Sequence, residues 1–433
     1  MSKPDWYKRA GKEPFKQHYF HGGLAAGVKS RAGTERKAPS KSRRYWGGAA
    51  AAAAIVGTFV VISSYLSGGG SDRSPVPPSS SSAEAAVVEK SALIRMIDRT
   101  NGWAFGTNVT RTNDGGRTWT DRTPHGYDRS RFEPFPLNGQ FAWFVVRPAG
   151  QEANWTIYRT ADGGHSWSAA ALPTTDTWSV LKENTAFALS FTDEKTGILT
   201  FISDPAGGPV KTAIYRTTDG GRTWTYVNSI APEGVLESTP SGMSFSDRSH
   251  GFITFFNSRD SRPELYGTSD GGTTWKRLLL ELPPDIPDAV FFAERPPQFF
   301  GNDRKEGVLP VSYTTTTNEK AGIVWFTTEN GGNSWSPAPS PDGTPTVASK
   351  DGSAPQGFRV TAASDLTHYW MIDSEAGTLY GTSDAGRHWQ ALHTSPQLRN
   401  AVELSMVDET VGWIRGDGFL LQTEDGGRSW KEL

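Results

Sequence analysis

The stretch RTTDGGRTWT, residues 216–225, sets the reading of the whole chain because it recurs. RTNDGGRTWT at 111–120, RTADGGHSWS at 159–168, GTSDGGTTWK at 267–276, TTENGGNSWS at 327–336, GTSDAGRHWQ at 381–390 and QTEDGGRSWK at 422–431 bring the total to seven copies. Returning every 41 to 60 residues, each must be one turn of a larger repeated unit.

The fixed positions of the opening copy are Thr217, Asp219, Gly221, Thr223 and Trp224. A short carboxylate at a turn accepts hydrogen bonds from the main-chain N–H groups after it, and glycine supplies the positive φ that returns the chain in register. Threonine suits the flanking strands, and tryptophan at the start of the outgoing strand packs its face between neighbouring sheets. Asp114 with Trp119, Asp162 with Trp167, Asp270 with Trp275 and Asp425 with Trp430 keep this logic. Asn330 replaces aspartate ahead of Trp335, and His388 replaces the hydroxyl residue between Asp384 and Trp389.

A second element precedes the DGG turns: MIDRTNGWAFG at 96–106, SFTDEKTGILTF at 190–201, GMSFSDRSHGFITF at 242–255 and SMVDETVGWIRG at 405–416. Each is an apolar strand, an Asp-led turn and a Gly-aromatic strand. A unit is then four antiparallel strands in close to 50 residues, the size of a propeller blade. Seven units predict an all-β chain, a seven-bladed β-propeller over 85–433, in which closure removes exposed sheet edges.

These residues resemble the Asp-box, or BNR, pattern S/T-x-D-x-G-x-T/S-W of sialidases, xyloglucan-cleaving endoglucanases, sortilin-type receptors and the photosystem II stability/assembly factor family. With the D-x-x-x-G-W turn ahead of the hairpin, the chain looks most like the last of these over about 95–433. The resemblance implies that the hairpin stabilises the fold, so its carboxylates are not catalytic, and that the propeller serves protein assembly or stability. Nothing in the sequence identifies a photosystem.

Ahead of the repeats, residues 1–45 hold twelve Lys/Arg against three acidic residues, while the formal charge of the whole chain is −2. We read 1–45 as a basic, disordered cytoplasmic arm. Trp46 to Leu66 is twenty-one residues without a charge, long enough to cross a hydrocarbon core of ~30 Å as a helix. Arg43 and Arg44 before it place the N-terminus in the cytoplasm by the positive-inside rule. A cleaved signal peptide is the competing reading, but about 45 residues precede the apolar run and no clear A-x-A site follows it. Residues 67–84 form a Gly/Ser/Pro-rich linker. The expected protein is single-pass, with the propeller outside the cytoplasm. There is no cysteine, hence no disulfide.

Chemistry is hard to place on this pattern. Most aspartates are explained by turns, no Arg-Ile-Pro sialidase signature occurs, and the length supplies one propeller where the xyloglucan-cleaving enzymes use two. The eight histidines show no metal-ligand spacing, and the DGG turns join strand to strand, unlike a phosphate loop. We expect no catalytic residue, cofactor or metal, and neither nucleic acid nor a small-molecule substrate as partner. Function on such a scaffold is written where the units differ. Tyr127, Arg129, Arg131, Phe132 and Phe135, in the insertion at 125–140, form an aromatic and arginine mixture of the kind found at protein contacts. The expected role is a binding scaffold for a membrane or envelope protein complex. The alternatives are an envelope glycan-binding or glycan-cleaving propeller and a sensor coupled to the cytoplasmic arm.

Overall fold

The computed structural model of the chain describes residues 93–127, 132–146, 155–173, 186–202, 212–227, 240–255, 263–283, 286, 289–317, 320–339, 345–348, 358 and 360–433. Among these residues, thirty strands fall into seven antiparallel sheets, each built from one stretch of the sequence. Six sheets have four strands in sequence order, covering 93–121, 132–171, 186–227, 240–279, 360–394 and 401–432. The fifth, 289–348, departs from the expected count because its first strand is split into Ala289–Phe292 and Gln298–Phe300, and a short strand Val347–Ala348 is added.

The second strand of a blade is sandwiched by neighbouring blades on both faces, so it is mostly buried. Gly102–Phe105, Ala142–Val146 and Gly251–Phe255 are buried at every residue. The outer strands Ser168–Ala171 and Lys276–Leu279 are mostly exposed. The first strands of blades 2 and 3, 3 and 4, and 6 and 7 touch one another, which puts these strands innermost.

Seven apolar clusters lie one at each seam between blades. Trp103, Phe105 and Phe144 join blades 1 and 2, and Trp143, Phe191 and Trp224 join blades 2 and 3. Met243, Phe252, Tyr369 and Leu404 lie in the clusters of the next four seams. The seventh cluster, with Ile94, Met96, Trp119, Val411 and Trp413, packs blade 7 on blade 1. The ring is closed, and among the described residues no strand is exchanged between the first and last blade to close it.

The arm at 1–45, the apolar segment at 46–66 and the linker at 67–84 lie outside the described residues. Among the described residues no helix is long and apolar enough to cross a membrane.

Candidate protein-binding face

The end of the ring that carries the repeated turns is built on a uniform set of hydrogen bonds. In blade 3 the Thr217 hydroxyl donates to Asp219 Oδ1 at 2.8 Å and accepts from Gly221 N at 2.8 Å. Asp219 Oδ1 accepts from Thr223 N at 2.9 Å and its Oδ2 from the Thr223 hydroxyl at 2.6 Å. Asp114, Asp162, Asp270 and Asp425 accept the same bonds in their blades. Burial alone would raise the carboxyl pKa values of Asp162, Asp219 and Asp425, but these donors outweigh it and hold each at about 2.

Both departures from the repeat preserve the lock. Asn330 Oδ1 accepts from Ser334 N at 3.0 Å, and its Nδ2 donates to Ser334 Oγ at 2.8 Å, reversing one bond. In blade 6, His388 Nδ1 replaces the hydroxyl at 2.6 Å from Asp384 Oδ2. That contact and the His388 N–H hold the Asp384 carboxyl well below its usual range.

The turn between the first two strands is fused to this hairpin in every blade. Asp98, Asp193, Asp247 and Asp408 cap the backbone N–H groups two and three residues on, and so do Asn138 and Asp365 in blades 2 and 6. The N–H of Gly115, Gly163, Gly220, Gly271, Gly331, Ala385 or Gly426 then donates to a carbonyl of that turn, at 2.8 to 3.0 Å. The repeated carboxylates are fully engaged within the fold.

The tryptophans differ more. Trp119, Trp275 and Trp430 donate Nε1 to the carbonyl of the second turn glycine at 3.0 to 3.1 Å, whereas Trp167 donates across the seam to Arg122 O at 2.7 Å. Trp389 packs against the seam of blades 5 and 6. Trp224 and Trp335 bury their N–H without a hydrogen-bond partner among the described residues. Their contribution is ring area: Trp224 meets Phe191 edge-on at 6.0 Å and Trp335 meets Phe252 at 5.7 Å.

Immediately before the turn threonine, blades 1 to 3 carry Arg111, Arg159 and Arg216, where blades 4 to 7 have Gly267, Thr327, Gly381 and Gln422. Each arginine leans on the turn of the next blade. Arg216 donates Nε to Gly271 O at 2.8 Å, and Nη2 reaches the Asp270 and Gly271 carbonyls. A Cβ on Gly163 would fall 2.6 Å from Arg111 Nη1, and one on Gly220 would fall 3.2 Å from Arg159 Nε. Both glycines have positive φ, +70° and +78°, and the arginine ends lie close against them.

Second guanidiniums join two of these seams. Arg122 packs over Gly164 with Nη2 3.5 Å from His165 Nε2, and Arg222 donates to Asp219 O at 2.7 Å beside Arg159. Burial first, then the like charge of Arg122 or Arg222, works against the charged state of Arg111 and Arg159, with Asp98 opposing it at the first and Asp219 and Glu194 at the second. The Nε donors of Arg111, Arg122 and Arg159 are buried with no hydrogen-bond partner among the described residues. Guanidiniums clustered on one face are suited to the carboxylates of an acidic partner.

Of the residues nominated from sequence for partner contact, Tyr127 and Phe135 take part in packing. Tyr127 donates to Gly106 O at 3.0 Å and packs edge-on against Phe144 at 5.4 Å. Phe135 packs at the seam of blades 2 and 3, 6.0 Å from Phe191. Phe132 opens the first strand of blade 2, and Arg129 and Arg131 lie outside the described residues. The arginine row was visible as the R before T in three consecutive copies, at 111, 159 and 216.

The fold and its turns define the class: a seven-bladed β-propeller with tandem locked turns in each blade. No protein-family model matches the sequence, and no curated protein matches it. Among solved structures the chain is similar to YCF48 bound to a D1 peptide, at 20% identity and TM-score 0.46, covering 79% of this chain and 92% of that one. It is also similar to YCF48 from Cyanidioschyzon merolae, at 18% identity and TM-score 0.43, covering 68% and 81%. A GH74 enzyme from Niastella koreensis matches at 13% identity and TM-score 0.30, covering 77% and 64%.

Proposed function

We propose that this chain is a membrane-anchored, extracytoplasmic binding scaffold that assists assembly or stability of a membrane or envelope protein complex. What carries the reading is the arginine row of blades 1 to 3, guanidiniums gathered at successive seams on the face that carries the locked turns. An acidic segment of a partner protein supplies the matching carboxylates. The uncharged segment at 46–66 and the linker after it would hold the propeller close to such a partner at the bilayer.

Crosslinking in intact membranes, with the full-length protein as bait, tests the reading. The double variant Asp219→Ala with Trp224→Ala is the fold-damaged control. Recovery of one membrane complex by the intact propeller alone is the expected result. Retention on purified wall polysaccharide with no protein partner would replace the reading with glycan binding. Loss of a downstream response on deleting residues 1–40, with propeller binding intact, would make the chain a sensor.

A further inference from the structure

The seam that closes the ring, between blades 7 and 1, lacks a group that the seam of blades 3 and 4 has. There the residue before the turn threonine is Arg216, whose Nε donates to Gly271 O at 2.8 Å while Nη2 reaches the Asp270 carbonyl. Blade 7 has Gln422 at the same position, and its Nε2 donates to the equivalent carbonyl, Gly115 O, at a longer 3.5 Å. Glutamine Nε2 matches arginine Nε along the side chain, so the glutamine stops where a guanidinium would continue. Beside it lies a cavity of about 320 Å³, whose lining includes Arg99, Asp114, Arg117, Val411, Gln422 and Glu424, at the small end of ligand sites.

Acceptors that an arginine satisfies in other blades stay open here. Gln422 is 7% exposed, and its Oε1 has no hydrogen-bond partner among the described residues. The Asp114 carbonyl, which corresponds to Asp270 O, likewise accepts no bond among them. In blades 3, 6 and 7 the arginine after the turn covers that carbonyl, Arg222 donating to Asp219 O at 2.7 Å, Arg387 to Asp384 O at 3.3 Å and Arg428 to Asp425 O at 2.9 Å. Arg117 of blade 1 turns instead to Glu424 of blade 7, Nη2 to Oε1 at 3.4 Å. Both of those side chains are mostly exposed, so the pair is weak and open to exchange. Arg99, the other cation of the cavity, is already held by Asp408 at 2.6 Å and by Thr410 at 2.9 Å. The two arginines thus face three carboxylates, those of Asp114, Glu424 and Asp408.

We propose that this cavity is a binding site for a guanidinium group, the side chain of an arginine on a partner polypeptide, which completes the seam of blades 7 and 1 as Arg216 completes that of blades 3 and 4. The planar group donates in several directions at once, matching Gln422 Oε1, Asp114 O and the Glu424 carboxylate, where the point charge of a lysine serves fewer acceptors. Val411 gives the methylene stem an apolar wall. The inference stands apart from the acidic-partner reading of the arginine row, because the cation here comes from the ligand.

Saturation-transfer NMR on the full-length protein tests the proposal, with N-acetyl-L-arginine amide as probe and its neutral isostere N-acetyl-L-citrulline amide as control. The arginine probe should bind about tenfold tighter or more, the difference a charged hydrogen bond makes, and no weaker than free L-arginine. Gln422→Arg fills the cavity with the chain's own guanidinium and should abolish transfer while the thermal midpoint stays the same or rises. Glu424→Gln, on the exposed rim, should weaken the probe several-fold and leave the fold intact. Equal transfer to both probes, no transfer to the arginine probe, or undiminished binding in folded Gln422→Arg would overturn the site. Tighter binding of free L-arginine than of the capped probe would overturn the polypeptide source. If Gln422→Arg does not fold, Glu424→Gln decides, since unchanged binding in that variant overturns the site.

Discussion

Ala385 shows what a single turn position costs. It has φ +62°, where the other six blades place a glycine with φ between +67° and +78°. An L side chain in the left-handed region costs about 1–2 kcal/mol, partly offset by the ~0.4–1 kcal/mol that glycine loses through the unfolded chain. Ala385→Gly should therefore stabilise the protein by up to about 1 kcal/mol in urea unfolding; no change or a loss would mean that the turn relaxes in solution. A second prediction concerns Asp219. The Asn330 copy shows that an amide can satisfy this turn, so Asp219→Asn should be mild, whereas Asp219→Ala orphans Thr217, Thr223 and a backbone N–H and should cost about 1–3 kcal/mol. Equal losses for the two variants would contradict the hydrogen-bonding account.

At the scale of the element, the locked turn links stability to pH. Asp162, Asp219 and Asp425 have folded-state pKa values of about 2 against a usual 3.8. A depressed carboxyl stabilises the fold above its unfolded pKa, and the benefit disappears as pH falls through the folded value. Unfolding free energy should thus be flat above about pH 5 and fall steadily toward pH 2, with proton uptake on unfolding measurable by titration. A protein equally stable at pH 2.5 and pH 6 would contradict it. These turns were legible in the sequence because the interactions are local: Thr217, Asp219, Gly221 and Thr223 span seven residues. The Asp-led first turn was legible in four blades and missed in the rest, where Asn138, Asp303 and Asp365 head turns without the glycine-aromatic pair. The split inner strand at 293–297 was hidden because its conformation is set by Ser241 and Gly242 in another blade.

For the whole molecule, the repeat count fixed the number of blades, but how the ring closes was not written in any one copy. Closure depends on the cluster around Trp413 and on Arg99, whose Nε donates to Asp408 Oδ2 at 2.6 Å. The arginine is 61% exposed, so Arg99→Ala should cost less than about 1 kcal/mol. Trp413→Ala should cost about 3–5 kcal/mol and raise hydrogen exchange in blades 1 and 7 ahead of the others. Uniform exchange around the ring would show that closure is no weaker than the other seams. The candidate face was the least legible feature: aromatic and arginine richness pointed to 125–140, but Tyr127 and Phe135 are used for packing. The relevant arginines of the row sit inside the structural repeat itself and lean on the turn of the next blade.

The measurement that tests the central claim most directly is quantitative crosslinked recovery of the partner complex by the full-length protein and by the triple variant Arg111→Gln, Arg122→Gln, Arg159→Gln, with thermal unfolding recorded for both. The account predicts that recovery falls by about tenfold or more, the loss of several charged hydrogen bonds, while the variant remains folded. Undiminished recovery by the folded variant would contradict it and move the binding face elsewhere on the ring.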